Sequence, residues 1–417
     1  MSLGRRDLLK TFLLAPLARL TGAAIPLAGA SAAVAGPATR SEMPHVSLRH
    51  GRQDAWIEYR PAALRHNARA IHEFTEQRPI LAVIKNDGYG MGLVASAKAL
   101  ESESAVEGFG VVKLNEALTL REQGIEKPIL LMGPAEEEEL EAAVRRGITP
   151  MVYRADVEPL ARVARRLERP VGLEVKIDSG LGRLGIRDEE AIDFYREVQE
   201  HPGLHVQGSM ITFSEDREHD QEQRERFEAL LERVRDQDMD PGRAHAASTT
   251  PLLRYPEAWY ARVRPGIGLY GVYPQSDQRE DAGLDLQPAF ALRCRVMDLR
   301  PLKKGESAGY GRAFVAEEDT RIATLPMGHA DGWQRDAAGC ARVRIRGRNY
   351  PVVGSVSASH TLVDVGRDSD VSVGDVATLF DWESGNRVED VHADCGVSSY
   401  DLLMHLSARI PRHEVSE

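Results

Sequence analysis

The chain has 417 residues, 42% of them hydrophobic and 28% charged, the balance of an ordinary globular protein long enough for two domains. A net charge of −11 argues against nucleic acid as the main partner, because a phosphate backbone selects basic faces, but leaves small anions open. Three cysteines, Cys294, Cys340 and Cys395, are too few for a disulfide scaffold and allow at most one internal bridge.

The first residues differ in kind from the rest. Arg5 and Arg6 in "GRRDLLK" precede a mildly apolar run broken by Pro16, Arg19, Gly22 and Pro26, a poor membrane span. The run closes on "AVA" at 33–35, a small-residue cleavage site. Residues 1–35 are therefore expected to be a removed export signal of the twin-arginine type. That expectation makes the mature protein periplasmic, without stable membrane insertion; an uncleaved anchor is the alternative. Residues 36–52 read as a flexible leader.

From 53 to 275, short apolar runs alternate with amphipathic stretches. The runs are "ILAVI" at 80, "GFGVV" at 108, "PILLM" at 128, "TPMVY" at 149, "VGLEVKI" at 171, "LHVQGSMI" at 204, "RAHAA" at 243 and "VRPGIGLYGVY" at 263. Segments such as "NEALTLREQG" and "DVEPLARVARRLE" between them carry apolar residues at helical spacing. Regular alternation implies parallel pairing, and eight candidate strands predict a closed (β/α)8 TIM-type barrel. The stretch "PQSDQREDAGLDLQP" reads as a linker. Residues 276–417 then become β-rich and turn-punctuated, which predicts a mainly antiparallel β domain with a helix near "SYDLLMHLSARI".

Catalytic groups of such a barrel belong just after its strands. Lys85 ends the first run; Lys176, Asp178 and Arg183 follow the fifth; Thr212 follows the sixth. Ser248, Thr249 and Thr250 follow the seventh, and Arg264, Pro265 and Gly266 lie in the eighth. A lone lysine at a strand end is usually a side chain reaching for water. Five clusters on one rim weigh against that reading. Burial lowers a lysine's pKa and leaves a nucleophilic amine, able to condense with a carbonyl such as the aldehyde of pyridoxal phosphate. Gly266, Thr249 and nearby tyrosines could supply the donors that a cofactor phosphate needs.

Six segments, in order, carry a resemblance. "AVIKNDGYGMG", "VKIDSGLGRLGI", "RPGIGLYG", "GYGRAF", "LPMGHADGWQR" and "YDLLMHLSARIPR" are similar to motifs of the alanine racemase family, over roughly residues 53–412. The resemblance implies a pyridoxal-phosphate-dependent racemase of free amino acids, with Lys85 holding the cofactor and serving one face of the substrate α-carbon. Tyr310 would serve the opposite face, contributed by the other subunit of a homodimer. Arg264 would meet the pyridine nitrogen, supported by His245. Tyr89, Ser248, Thr249, Gly266, Ile267 and Tyr400 would surround the phosphate. Arg183 would approach the cofactor's phenolic oxygen and the substrate carboxylate, oriented by Lys176 in plain or carbamylated form. No metal is implied.

The match departs from the family at four places. Thr212 stands where a histidine usually lies against the cofactor ring, and Ser248 and Thr249 replace an asparagine and a serine. His329 replaces a tyrosine at the pocket entrance. Ala358 and Ser359 replace methionine and aspartate. The changes at His329 and Ala358 predict room for substrate side chains larger than a methyl. A barrel-type amino-acid decarboxylase is the competing enzyme, but those enzymes favour an acidic partner for the ring nitrogen, where this chain has Arg264. A cofactor-binding relic without turnover is the non-enzymatic alternative.

Overall fold

The structure, a computed structural model, describes residues 54–415 except 276, 277, 282 and 384. The expected signal and leader lie outside the described residues.

Seven parallel strands curl in chain order: β2 (Ile80–Val83), β3 (Val106–Val111), β4 (Ile129–Leu131), β5 (Ile148–Val152), β6 (Val171–Asp178), β8 (Leu204–Met210) and β9 (Arg243–His245). The two-residue β7 (Ile186–Arg187) pairs with the end of β6. Helices such as Leu93–Glu101, Leu114–Glu122 and Glu158–Leu167 connect them. All four residues of β2 are buried, which explains why that strand reads as a continuous apolar run rather than an alternating one.

The eighth expected run does not form a regular strand. Pro265 has no N–H to give a ladder, and only a single parallel bridge, Ile80 to Val263, is formed. The segment nevertheless closes the ring. On one side the amides of Leu81 and Val83 donate to the carbonyls of Val263 and Pro265, each at 2.9 Å. On the other, Ala261 and Arg264 donate to Ala244 and Ala247 at 3.1 and 2.8 Å. The result is a TIM-type barrel.

The second sheet has nine strands and is mainly antiparallel. Its order is Asp298–Leu302, Thr320–Leu325, Thr361–Asp364, Arg348–Val353, Arg342–Ile345, Val376–Phe380, Phe290–Arg295, β1 (Trp56–Tyr59) and Arg412–Glu414. The sequence reading began the barrel at residue 53; β1 instead joins this second sheet, antiparallel to Phe290–Arg295 and parallel to Arg412–Glu414. One apolar core runs from Ile80 and Phe109 in the barrel through Ile57 to Val343, Leu379 and Leu402. Cys340 and Cys395 form a disulfide, and Cys294 is buried and free. The expected late helix is Ser399–Met404, which follows Val388–Cys395.

Candidate active site

The five residues after Lys85 wind the wrong way for L-amino acids. Asn86, Asp87, Gly88, Tyr89 and Gly90 have φ of 54, 54, 61, 55 and 84°. Asn, Asp and Gly are the types that tolerate this region, so "NDG" is the local reason for the turn. Its geometry is fixed from several sides. The Asp87 carboxylate accepts from Leu93 N at 2.8 Å, opening helix Leu93–Glu101. Buried Glu116 accepts from Asp87 N at 3.0 Å. Arg412, the last arginine of "RIPR", donates to Gly90 O at 2.6 Å. Lys85 is thereby held half-buried at the strand end, and burial together with the Arg183 guanidinium pushes its ammonium below the ordinary lysine range.

A cavity at this end of the barrel is lined by Lys85, Tyr89, Lys176, Arg183, Thr212, Ser248, Thr249, Arg264, Gly266 and Tyr400, with Met132, Met151 and Met210 among its apolar residues. Ten of the predicted positions thus share one space. His245 is fully buried behind Arg264, and Ile267 is buried beside Gly266. The lining holds four cationic side chains and no carboxylate, which suits an anionic ligand.

Arg264 is fixed by three bonds: to His245 Nδ1 at 2.9 Å, to Ile211 O at 2.8 Å and to Ala246 O at 3.0 Å. Burial and the neighbouring Arg262 push its guanidinium down, against the opposing pull of Glu174. His245 is pushed down to about 3, mainly by burial, and so stays neutral at neutral pH. Lys176 is pushed well below its usual range by burial and by Arg264 and Arg183. Its hydrogen bond runs to Thr212 Oγ1 at 2.7 Å, and Arg183, which it is expected to orient, is near enough to act on its charge. The hydroxyl at 212 is therefore engaged with the lysine.

The donor set fits a phosphate-bearing cofactor. Thr249 Oγ1 accepts from Gly266 N and Gly268 N at 3.2 and 3.3 Å, which leaves its own proton for a ligand. Helix Thr249–Arg254 also starts here, and Ser248 does not cap it with a side-chain bond; amides at such a start are available to anions. A Cβ on Gly266 would lie 2.1 Å from Tyr89 Oη, so only glycine lets the backbone come this close. Tyr89 packs against Tyr400 with ring centroids 6.3 Å apart, and burial raises both phenols above their ordinary range. Both therefore act as neutral hydrogen-bond donors.

Tyr310, His329 and Ala358 do not line this cavity. Tyr310 starts a 3-10 turn between glycines with φ of 82 and 66° and is 79% exposed. His329 and Ala358 sit on adjoining loops: His329 N donates to Ser357 O and Ala330 N to Ala358 O, both at 2.9 Å. His329 Nε2 also accepts from Arg335 at 2.9 Å. Gly309, before Tyr310, abuts Gly354 and Ser355 of the loop that leads to Ala358, so the three positions share one face of the β domain.

Sequence reasoning missed Glu116, Arg412, Glu174 and Arg262. The last two had a signal. Glu174 is two residues before Lys176, and Arg262 two before Arg264, so strand alternation puts each pair on one face. Glu116 and Arg412 act on backbone groups and had none.

Residues 60–274 match the N-terminal domain of alanine racemases and residues 289–414 the C-terminal domain. An alanine racemase of Desulforamulus reducens is 32% identical over 368 residues, 87% of this chain and 99% of that protein. One from Edwardsiella ictaluri is 36% identical over 359 residues, 85% of this chain and 96% of that one. The crystal structure of alanine racemase from D-cycloserine-producing Streptomyces lavendulae superposes with a TM-score of 0.82 at 27% identity, covering 88% of this chain and 98% of that one. Two domain matches in order, close relatives along nearly their whole length and a shared architecture lead to one conclusion: the chain belongs to the alanine racemase family.

Proposed function

We propose that Lys85 and Tyr310 exchange the α-proton of a free amino acid from opposite faces, Tyr310 being supplied by a second copy of the chain. As a family member the protein is a pyridoxal-phosphate-dependent amino-acid racemase. The observation that carries the two-residue assignment is the pairing of a half-buried, depressed amine in a cationic cavity with a tyrosine left 79% exposed on the β domain. A phenol so placed is available to another subunit.

The α-C–H of an amino acid is too weak an acid for a protein base alone, and pyridoxal phosphate, when bound, supplies the electron sink that the reaction needs. The chain's own residues do the rest. Thr249, Tyr89, Tyr400 and the Gly266 backbone hold the phosphate. Arg264, locked by His245 and two carbonyls, keeps a charged donor at the ring nitrogen; arginine does not readily give up its proton, which favours return of the substrate proton over more extensive chemistry. Arg183 holds the substrate carboxylate. The half-buried Lys85 amine takes or returns the proton on its face, and the Tyr310 phenol does so on the other.

Ala358 and His329 are shorter than the family's usual side chains at positions that, with Tyr310, would face the cavity of a second copy, and the three methionines of the cavity are adaptable. The substrate range therefore extends beyond alanine. Arg5 and Arg6 support export to the periplasm, which cell fractionation of an Arg5→Lys/Arg6→Lys double variant tests: retention in the cytoplasm is expected. Racemisation across a panel of L-amino acids by the purified mature chain, beside Lys85→Ala, tests the activity. Turnover of several substrates, abolished in Lys85→Ala, is expected. Strict alanine preference would remove the broad-range reading, and undiminished activity of Lys85→Ala the catalytic one.

A further inference from the structure

A line of hydrogen-bonded charged and polar side chains crosses the barrel, from the mouth opposite the cavity to the cavity itself. Arg243, which opens β9, donates to Glu107 Oε2 at 2.8 Å, and Glu107 Oε1 accepts from Arg262 at 3.2 Å. Arg262 Nη2 donates to Glu174 Oε1, Glu174 Oε2 lies 2.7 Å from His245 Nε2, and His245 Nδ1 lies 2.9 Å from Arg264 Nη1. Glu174 and His245 are 4% and 0% exposed, so water cannot substitute for any partner.

The chemistry of these groups fixes the protons. Arg264 can only donate, so His245 Nδ1 must accept. A neutral imidazole that accepts at Nδ1 carries its proton on Nε2, and Glu174 receives it. Arg262 Nη2 also lies 2.8 Å from His245 Nε2. Two N–H groups face each other there, tolerable only because both oxygens of one carboxylate accept from them.

We propose that Glu174 is a positioning residue for the racemase: by accepting from Arg262 and His245 at once, it fixes the His245 tautomer and so aims Arg264 as a donor into the cofactor cavity. The proposal rests on the reading of Arg264 as the cofactor's partner. A glutamine at 174 has the same shape but one acceptor oxygen in place of two, so either Arg262 loses its bond or the imidazole proton moves to Nδ1. In the second case it faces Arg264, donor against donor, and the guanidinium turns away. Glu174 also supplies the negative charge that faces Arg262 and Arg264 in the barrel interior.

The test compares Glu174→Gln, Glu174→Asp and Arg264→Lys as purified enzymes. The readings are the affinity of the apoenzyme for pyridoxal phosphate, the absorbance maximum of the bound cofactor, and kcat against KM. Glu174→Gln is expected to weaken cofactor binding about tenfold or more and to lower kcat by a similar factor with KM little changed. It should also move the absorbance maximum in the same direction as Arg264→Lys. Glu174→Asp, which keeps two acceptors on a shorter stem, should recover part of each effect. Parent-like affinity and absorbance in Glu174→Gln, with both altered in Arg264→Lys, overturn the proposal and leave the Arg264 reading standing. Silence in both variants overturns it together with that reading. Nitrogen NMR of histidine-labelled, unmodified holoenzyme decides the matter even where Glu174→Gln does not fold: a buried neutral imidazole protonated on Nε2 supports the proposal, and one protonated on Nδ1 rejects it.

Discussion

Lys85 was legible because a charge at the end of a buried strand is anomalous, and Gly266 because, with Thr249 and nearby tyrosines, it could supply donors to a phosphate. The environment of each was not legible. That Gly266 gives way to Tyr89, far earlier in the chain and within a left-handed turn, follows only from the fold. Gly266→Ala would place a methyl 2.1 Å from Tyr89 Oη, and Tyr89 is hemmed in by Tyr270 and Tyr400. We expect pyridoxal phosphate affinity to fall about tenfold or more, since an overpacked site costs on the order of 1–3 kcal/mol. Titration of the apoenzyme measures it, and an unchanged affinity would mean that Tyr89 moves aside freely. Thr212 shows the opposite case. Its identity set it apart from the family in the sequence, yet its partner, Lys176 on the neighbouring strand, could not be read from spacing.

Among the elements, strands buried on both faces announced themselves as apolar runs. The last one did not behave as its composition suggested, because Pro265 and Gly266 replace ladder amides with the irregular backbone from which the cavity is built. The disulfide was beyond sequence for a different reason: with three cysteines, three pairings are open, and Cα separation selects among them. Cys340 and Cys395 lie 5.3 Å apart at Cα and close a loop of 55 residues. Cys395 also ends the helix that leads into Ser399–Met404, the element carrying Tyr400. Opening the bridge should cost about 4 kcal/mol by the loop-entropy relation. Denaturant midpoints with and without a thiol reductant report this loss, and a Cys340→Ser/Cys395→Ser variant should match the reduced parent. Coincident midpoints would show that the bridge contributes nothing.

For the molecule as a whole, the barrel rhythm and the change to β-rich sequence were visible from composition alone, while the contribution of Trp56–Tyr59 to the far sheet was not, since pairing across more than 200 residues leaves no local trace. The same distance problem separates the two proposed catalytic groups: Lys85 faces the cavity and Tyr310 faces outward. If sites are shared between two copies, inactive Lys85→Ala and inactive Tyr310→Phe should complement. Random reassortment gives half the dimers one intact site of two, so about one quarter of parental activity is expected on mixing under exchange conditions. No recovery would place both groups in one chain or neither in the reaction. Strand β1 has one more consequence. It lies between Phe290–Arg295 and Arg412–Glu414, its Ile57 amide bonded to Pro411 O at 2.8 Å and Tyr59 O receiving Val415 N at 2.9 Å. Residues 411–415 must therefore have left the ribosome before this edge can form, so Trp56–Tyr59 waits half-paired until then, and a circular permutant linking the neighbourhood of Trp56 to that of Glu414 has little distance to span.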